Sequence, residues 1–165
     1  MSVVCIDLSM PKIVLVHPEI PPNTGNIART CAATATELHL VEPLGFELSD
    51  RYLKRAGLDY WPHVNLHVHP DLDSFCHYQQ ELGGRLIGFT TKSTYSYVEI
   101  NYKEDDWLLF GSESQGLSSH LLSACDYRAK IPMPHDSVRS LNLSVSAAIG
   151  LFESLRQLGH LAGKP

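Results

Sequence analysis

The chain has 165 residues, of which 44% are hydrophobic and 19% charged, and a formal net charge of −5. That length suits one domain with a substantial core, and the acidic balance argues against a histone-like, non-specific grip on nucleic acid. A local basic patch for RNA stays open, because clustering matters more than net charge.

The opening "MSVVCIDLSMPK" has no positive n-region and no long apolar core, so it does not read as a signal peptide. No uninterrupted run of about 18 apolar residues predicts a membrane span. The expected location is therefore the cytoplasm, and residues 1–11 read as an N-terminal extension to a domain over 12–160. Cys5, Cys31, Cys76 and Cys125 are far apart and form no CxxC pair, so they read as reduced thiols rather than a disulfide or zinc framework.

Strands and helices alternate from there. "KIVLVH" (12–17) predicts a strand, and "NTGNIARTCAATA" (23–35) a helix with Asn23 and Thr24 as caps and Gly25 supplying an unusual backbone angle. Pro21 and Pro22 read as a stiff loop before it. "LHLVE" (38–42) predicts a strand, "SDRYLKRAG" (49–57) a short helix, "VNLHVH" (64–69) a strand and "DLDSFCHYQQEL" (71–82) a helix. "RLIGFTT" (85–91) and "WLLFGSE" (107–113) predict strands, "SSHLLSAC" (118–125) a short helix, "RAKIPM" (128–133) a strand, and 140–159 a long final helix. This alternation predicts an α/β fold, a parallel sheet with helices on both faces.

Ligands of open parallel sheets sit beyond the carboxyl ends of the strands. Three segments expected there, "TTKSTYS", "GSESQGL" and "PMPHDSVRSLNLS", are rich in Gly, Pro, Ser and Thr, which let a ligand approach the backbone. Their plainer reading is turns. No GxGxxG and no GxxxxGK[ST] occurs, so a nucleoside-like ligand without a di- or triphosphate fits better. There is no GxSxG elbow for a hydrolase. His67 and His69 share a strand face and could hold a metal, but no third ligand stands out, so no metal is expected.

Asn26 and Arg29 lie on one helix face near its start, and Arg29 suits a phosphate or a polarised hydroxyl. Lys54, Arg55 and Tyr60 lie in "DRYLKRAGLDYWPH", where basic residues and aromatics interleave as RNA contacts do. In "SLNLSVSAAIG" (140–150), Ser and Asn crowd the mouth of an apolar helix. They either tie a loop over a ligand or satisfy helix-end amides.

Taken in order, "PEIPPNTGNIART", "RAGLDYW", "LFGSESQGL" and "IPMPHDSVRSLNLSVSAA" resemble the SPOUT (SpoU/TrmH-type) RNA methyltransferases. The nearest branch is the small bacterial TrmL/YibK-type tRNA (cytidine/uridine-34) 2′-O-methyltransferases. The resemblance covers about Lys12 to Gly159. It implies a six-stranded sheet with a C-terminal deep trefoil knot, a homodimer, S-adenosylmethionine as cofactor and the tRNA anticodon stem-loop as substrate. It implies cofactor contacts at Phe89, Thr90, Gly111, Glu113, Ile131, Met133, Ser140 and Leu141, and catalytic roles for Arg29 and Asn142. RNA contacts would come from Asn23, Asn26, Arg29, Lys54, Arg55 and Tyr60. The alternatives are methylation of another tRNA or rRNA ribose, and a non-catalytic, flavodoxin-like nucleotide-binding module.

Overall fold

The computed structural model describes residues 10–49 and 60–162. The expected helix over 49–57, with Lys54 and Arg55, therefore lies almost wholly outside the described residues.

Six strands form one parallel sheet: β1 (Lys12–Val16), β2 (Leu38–Val41), β3 (Leu66–His69), β4 (Leu86–Phe89), β5 (Trp107–Phe110) and β6 (Tyr127–Ala129). Their spatial order is β3-β2-β1-β5-β4-β6, with every pairing parallel. The chain runs outward from β1 to β3, then crosses over and inserts β5 between β1 and β4.

Side chains alternate across a strand, and the two helical layers use that alternation. Ile13 and Leu15 of β1, Leu38 and Leu40 of β2 and Leu108 and Phe110 of β5 face one layer. It consists of α1 (Pro21–Thr34) and α4 (Leu143–Gln157), which contribute Ile27, Ala28 and Cys31, and Ala147, Leu151 and Leu155. Val14, Val16, Val41, Trp107 and Leu109 face the other layer, where α2 (Leu72–Leu82) brings Phe75 and α3 (Ser119–Ala124) brings Leu121. The helices on both faces are as the alternating pattern predicts.

Several boundaries differ, for local reasons. α1 begins at Pro21, because proline fits the first helical positions where no N–H partner is needed. Asn23 and Thr24 are then buried residues of the first turn rather than caps, and Gly25 sits inside the helix. β6 stops at Ala129: Lys130 leaves the sheet and pairs with Ser96, and Pro132 and Pro134 have no N–H to give a strand. α4 starts at Leu143 with Asn142 as its cap, so Ser140 and Leu141 belong to the preceding loop.

Candidate active site

The residues after β4, β5 and β6 close around one cavity of about 600 Å³. All eight positions expected to touch a cofactor line it: Phe89 and Thr90 at the carboxyl end of β4, Gly111 and Glu113 beyond β5, Ile131 and Met133 beyond β6, and Ser140 and Leu141 before α4. Asn23 and Asn142 line it too.

The β5 loop needs its glycines. A Cβ on Gly111 would lie 2.0 Å from the Gly116 carbonyl carbon, and Gly116 itself has φ +69°. Only glycine meets both demands without strain. The resulting turn, closed by Gly116 N–H donating to the Ser112 carbonyl at 2.8 Å, presents Glu113 to the start of α1.

That start lacks a cap of its own: Ile20 is the N-cap and offers no side-chain hydrogen bond. Glu113 supplies it. Its carboxylate accepts from the Glu19 backbone N–H at 2.8 Å, the Ile20 N–H at 3.2 Å and Asn23 Nδ2 at 3.1 Å. Glu19 returns the contact, accepting from Ser114 N–H at 3.0 Å and Ser114 Oγ at 2.7 Å. A carboxylate is favoured at a helix N-terminus by the helix dipole as well as by these bonds. Both Glu113 oxygens are thus engaged with the β1–α1 connection, so its side chain shapes the cavity wall. Sequence reading assigns Glu113 to the cofactor and overlooks Glu19, since nothing local marks a pair 94 positions apart.

Asn142 does two things at once. Its Oδ1 accepts from Ser144 N–H at 2.8 Å and Ser144 Oγ at 2.7 Å, capping α4. Its Nδ2 donates to Asn23 Oδ1 at 3.0 Å. The helix-end reading of the Ser/Asn cluster accounts for Oδ1, while Nδ2 ties the start of α4 to the first turn of α1.

Asn26 and Arg29 are exposed on α1 and do not line the cavity. The Arg29 guanidinium lies over the Tyr60 ring, 5.5 Å from its centroid, and Tyr60 Oη donates to the Gly25 carbonyl at 3.1 Å. Tyr60 therefore steers Arg29 through its ring face while its hydroxyl is tied to α1.

The cavity's chemistry suits a nucleoside without phosphates. Phe89, Ile131, Met133 and Leu141 offer apolar surface, the Gly- and Ser-rich loops offer backbone groups, and the volume falls in the range of small-molecule sites. Its basic side chains, Lys92 and Arg139, are exposed at the rim.

The sequence profile of the SpoU rRNA Methylase family matches residues 10–152. A protein of Synechocystis sp., provisionally named a tRNA (cytidine(34)-2′-O)-methyltransferase, is 58% identical over 152 residues, covering 92% of this chain and 99% of that protein. A solved structure described as giving insights into the 2-OH methylation of C/U34 on tRNA superposes with a TM-score of 0.87 at 47% identity, covering 92% of this chain and 98% of that one. An AdoMet-bound rRNA methyltransferase from Sinorhizobium meliloti superposes with a TM-score of 0.83 at 26% identity, covering 95% of this chain and 59% of that longer one. With a profile match over most of its length and relatives this similar, the chain belongs to the SpoU rRNA Methylase family.

Proposed function

We propose that this protein transfers the methyl group of S-adenosylmethionine to the ribose 2′-oxygen of nucleotide 34, a cytidine or uridine, in tRNA. The observation that carries the reading is the convergence of all eight expected cofactor positions on one cavity that lacks any phosphate-binding loop. The near full-length similarity to a structure concerned with methylation of C/U34 supports the nucleotide.

Phe89, Ile131, Met133 and Leu141 would hold the cofactor together with the backbone of the three loops. When bound, S-adenosylmethionine supplies a methyl group on a positively charged sulfur. The chain's own work is to position a hydroxyl, a weak nucleophile, so orientation contributes much of the rate. A guanidinium keeps its proton in proteins. Arg29 therefore acts as a fixed cation: it binds the phosphate next to the target ribose and lowers the cost of the developing alkoxide. Asn142 holds the last loop over the site through Asn23. Asn26 and Tyr60, on the same face as Arg29, and Lys54 and Arg55 would contact the anticodon stem-loop.

The family resemblance also implies a deep trefoil knot formed by the C-terminal segment. In support, the chain leaves β6 at the sheet edge, pairs Lys130 with Ser96, and returns to pack α4 beside α1 near the middle of the sheet. It implies a homodimer as well. Val145 and Phe152 are exposed and lie one above the other on α4, with Ile149 between them, an apolar stripe suited to a second copy. No helix among the described residues is long and apolar enough to cross a membrane, in keeping with work on tRNA in the cytoplasm.

The test is methyl transfer from labelled S-adenosylmethionine to tRNA lacking its native 2′-O-methyl groups, with the labelled nucleotide mapped. Label on the ribose of nucleotide 34 is the expected result. Label at another ribose would retain the chemistry and discard this target. Cofactor bound but never consumed with tRNA or rRNA would mark a binding module.

A further inference from the structure

A second group of chemistry-bearing side chains lies away from the cavity, where β2 and β3 face α2. His67 and His69 share that face, as their spacing predicts, but the partners they meet come from β2. In the sheet register His39 stands opposite His67. The two rings stack with centroids 4.5 Å apart and planes 8° from parallel. Glu37, just before β2, places Oε2 3.2 Å from His39 Nε2 and 3.8 Å from His67 Nε2. The three donor atoms lie within 4.8 Å of one another.

We propose that Glu37, His39 and His67 bind one borderline divalent cation, zinc by the chemistry of the donors. Two imidazoles and a carboxylate form a known zinc-binding set, and water completes a tetrahedron where a site stays open. Here the open side is real. His39 is fully buried, whereas the side chains of His67 and Glu37 are each 34% exposed, giving an entry path and room for water. Zinc bonds of 2.0–2.2 Å ask for donors about 3.3 Å apart. His67 and Glu37 can close the gap by turning about their side-chain bonds, since one side of each is solvent.

The site also has its support in place. His39 Nδ1 lies 2.9 Å from His69 Nε2, and a ligating histidine is oriented by what its second nitrogen bonds. Without a metal ion, His69 Nε2–H donates to His39 Nδ1 and His39 Nε2–H donates to Glu37. With the ion on His39 Nε2, the His39 proton sits on Nδ1 and donates to His69 Nε2, while His69 carries its own proton on Nδ1. Each ring keeps one proton, so neither is charged in either state. The Trp107 ring, 4.9 Å from His39 by centroid, and Tyr78 wall the inner side.

The experiment uses the full chain without an affinity tag, stripped by chelator and titrated with zinc by calorimetry and with cobalt(II) by absorption. One ion per chain is expected, with the intense visible bands of four- or five-coordinate cobalt and quenching of the Trp107 emission. His67→Ala and Glu37→Gln, both partly exposed, should keep the fold by circular dichroism and weaken binding by on the order of a hundredfold each. No zinc binding by the intact chain overturns the proposal. So does binding of equal strength in both variants, which would put the ion elsewhere.

Discussion

Asn142 and Asn23 meet side chain to side chain, 119 positions apart in sequence, with Asn142 Nδ2 donating to Asn23 Oδ1 at 3.0 Å. Asn23 passes the contact on, its Nδ2 donating to Glu113. This short relay joins the first turn of α1, the β5 loop and the cap of α4. Every one of the three segments also lines the cavity.

The relay makes Glu113 the most sensitive of the three. Glu113→Gln keeps the shape but turns an acceptor into an N–H group facing other N–H groups. Hydrogen bonds to a charged partner contribute about 1.5–3 kcal/mol each. Cofactor affinity, measured by calorimetry, should fall at least about tenfold, with the circular dichroism spectrum retained. Asn142→Ala should weaken cofactor binding less, because the freed Ser144 N–H is exposed enough to bond water instead.

Arg29 should behave differently. It lies outside the cavity, so Arg29→Ala should leave cofactor affinity close to that of the parent. Methyl transfer to tRNA should fall by at least about a hundredfold, as for removal of one preorganised electrostatic group. Arg29→Lys should not restore it fully, since an ammonium lacks the planar fork. Parallel losses of cofactor binding and turnover would give Arg29 a structural role instead.

The sequence makes some of this arrangement legible. Strands β1, β2, β4 and β5 are legible because each is a short, mostly apolar run, and Ile13 and Leu15 against Val14 and Val16 show how both faces are filled, whereas β6 (Tyr-Arg-Ala) has no such run and ends before the expected Lys130–Met133. The cavity loops read correctly because Gly111 and Gly116 mark backbone that must approach closely or turn with positive φ. The insertion of β5 between β1 and β4 is not legible, because strand order depends on pairings between distant segments. The Glu113 cap is hidden for the same reason. His67 reads as half of a pair with His69, whereas the ring beside it comes from His39 on the neighbouring strand β2 and the carboxylate from Glu37 just before that strand.

Stability should depend on one ion pair at the sheet's amino end. Arg85 holds Asp106 through two bonds of 2.8 Å, Nε to Oδ1 and Nη2 to Oδ2, and Lys103 N–H adds a third to Oδ2 at 2.7 Å. Asp106 is completely buried and immediately precedes β5. Asp106→Ala leaves Arg85 without its partner and should cost about 3 kcal/mol in urea unfolding. Methyl transfer per folded molecule should be unaffected, because the pair is far from the carboxyl ends of the strands.

Two thiols should weaken the fold at high pH. Burial pushes the pKa of Cys31 up to about 12, and burial, with Asp126 next, pushes that of Cys125 up to about 12. In the unfolded chain a thiol loses its proton near pH 9. Between about pH 9 and 12 the folded state therefore binds more protons than the unfolded state. Stability is present in full below pH 9 and declines as pH rises through that window. Each thiol contributes a slope of about 1.4 kcal/mol per pH unit. Cys31→Ala should flatten the alkaline limb by one thiol's worth in urea midpoints measured from pH 8 to 11. An unchanged slope would mean that Cys31 ionises in the folded state.

The apolar stripe on α4 predicts an assembly and a way to break it. Val145 is 45% and Phe152 44% exposed, and the stripe they form with Ile149 lies away from the core side chains Ala147, Leu151 and Leu155. An aromatic left this exposed beside two aliphatic residues is costly in water unless something covers it. A second copy through a two-fold axis would cover both stripes with one self-complementary contact. Light scattering at micromolar concentration should therefore give twice the chain mass. Phe152→Asp would put a charge at the contact centre and should give the single-chain mass with the fold intact. If the dimer also brings one copy's Arg29 to the other's cavity, mixing Arg29→Ala chains with chains defective only in cofactor binding should restore measurable methyl transfer. Activity in a stable Phe152→Asp monomer equal to that of the parent would mean that each chain works alone.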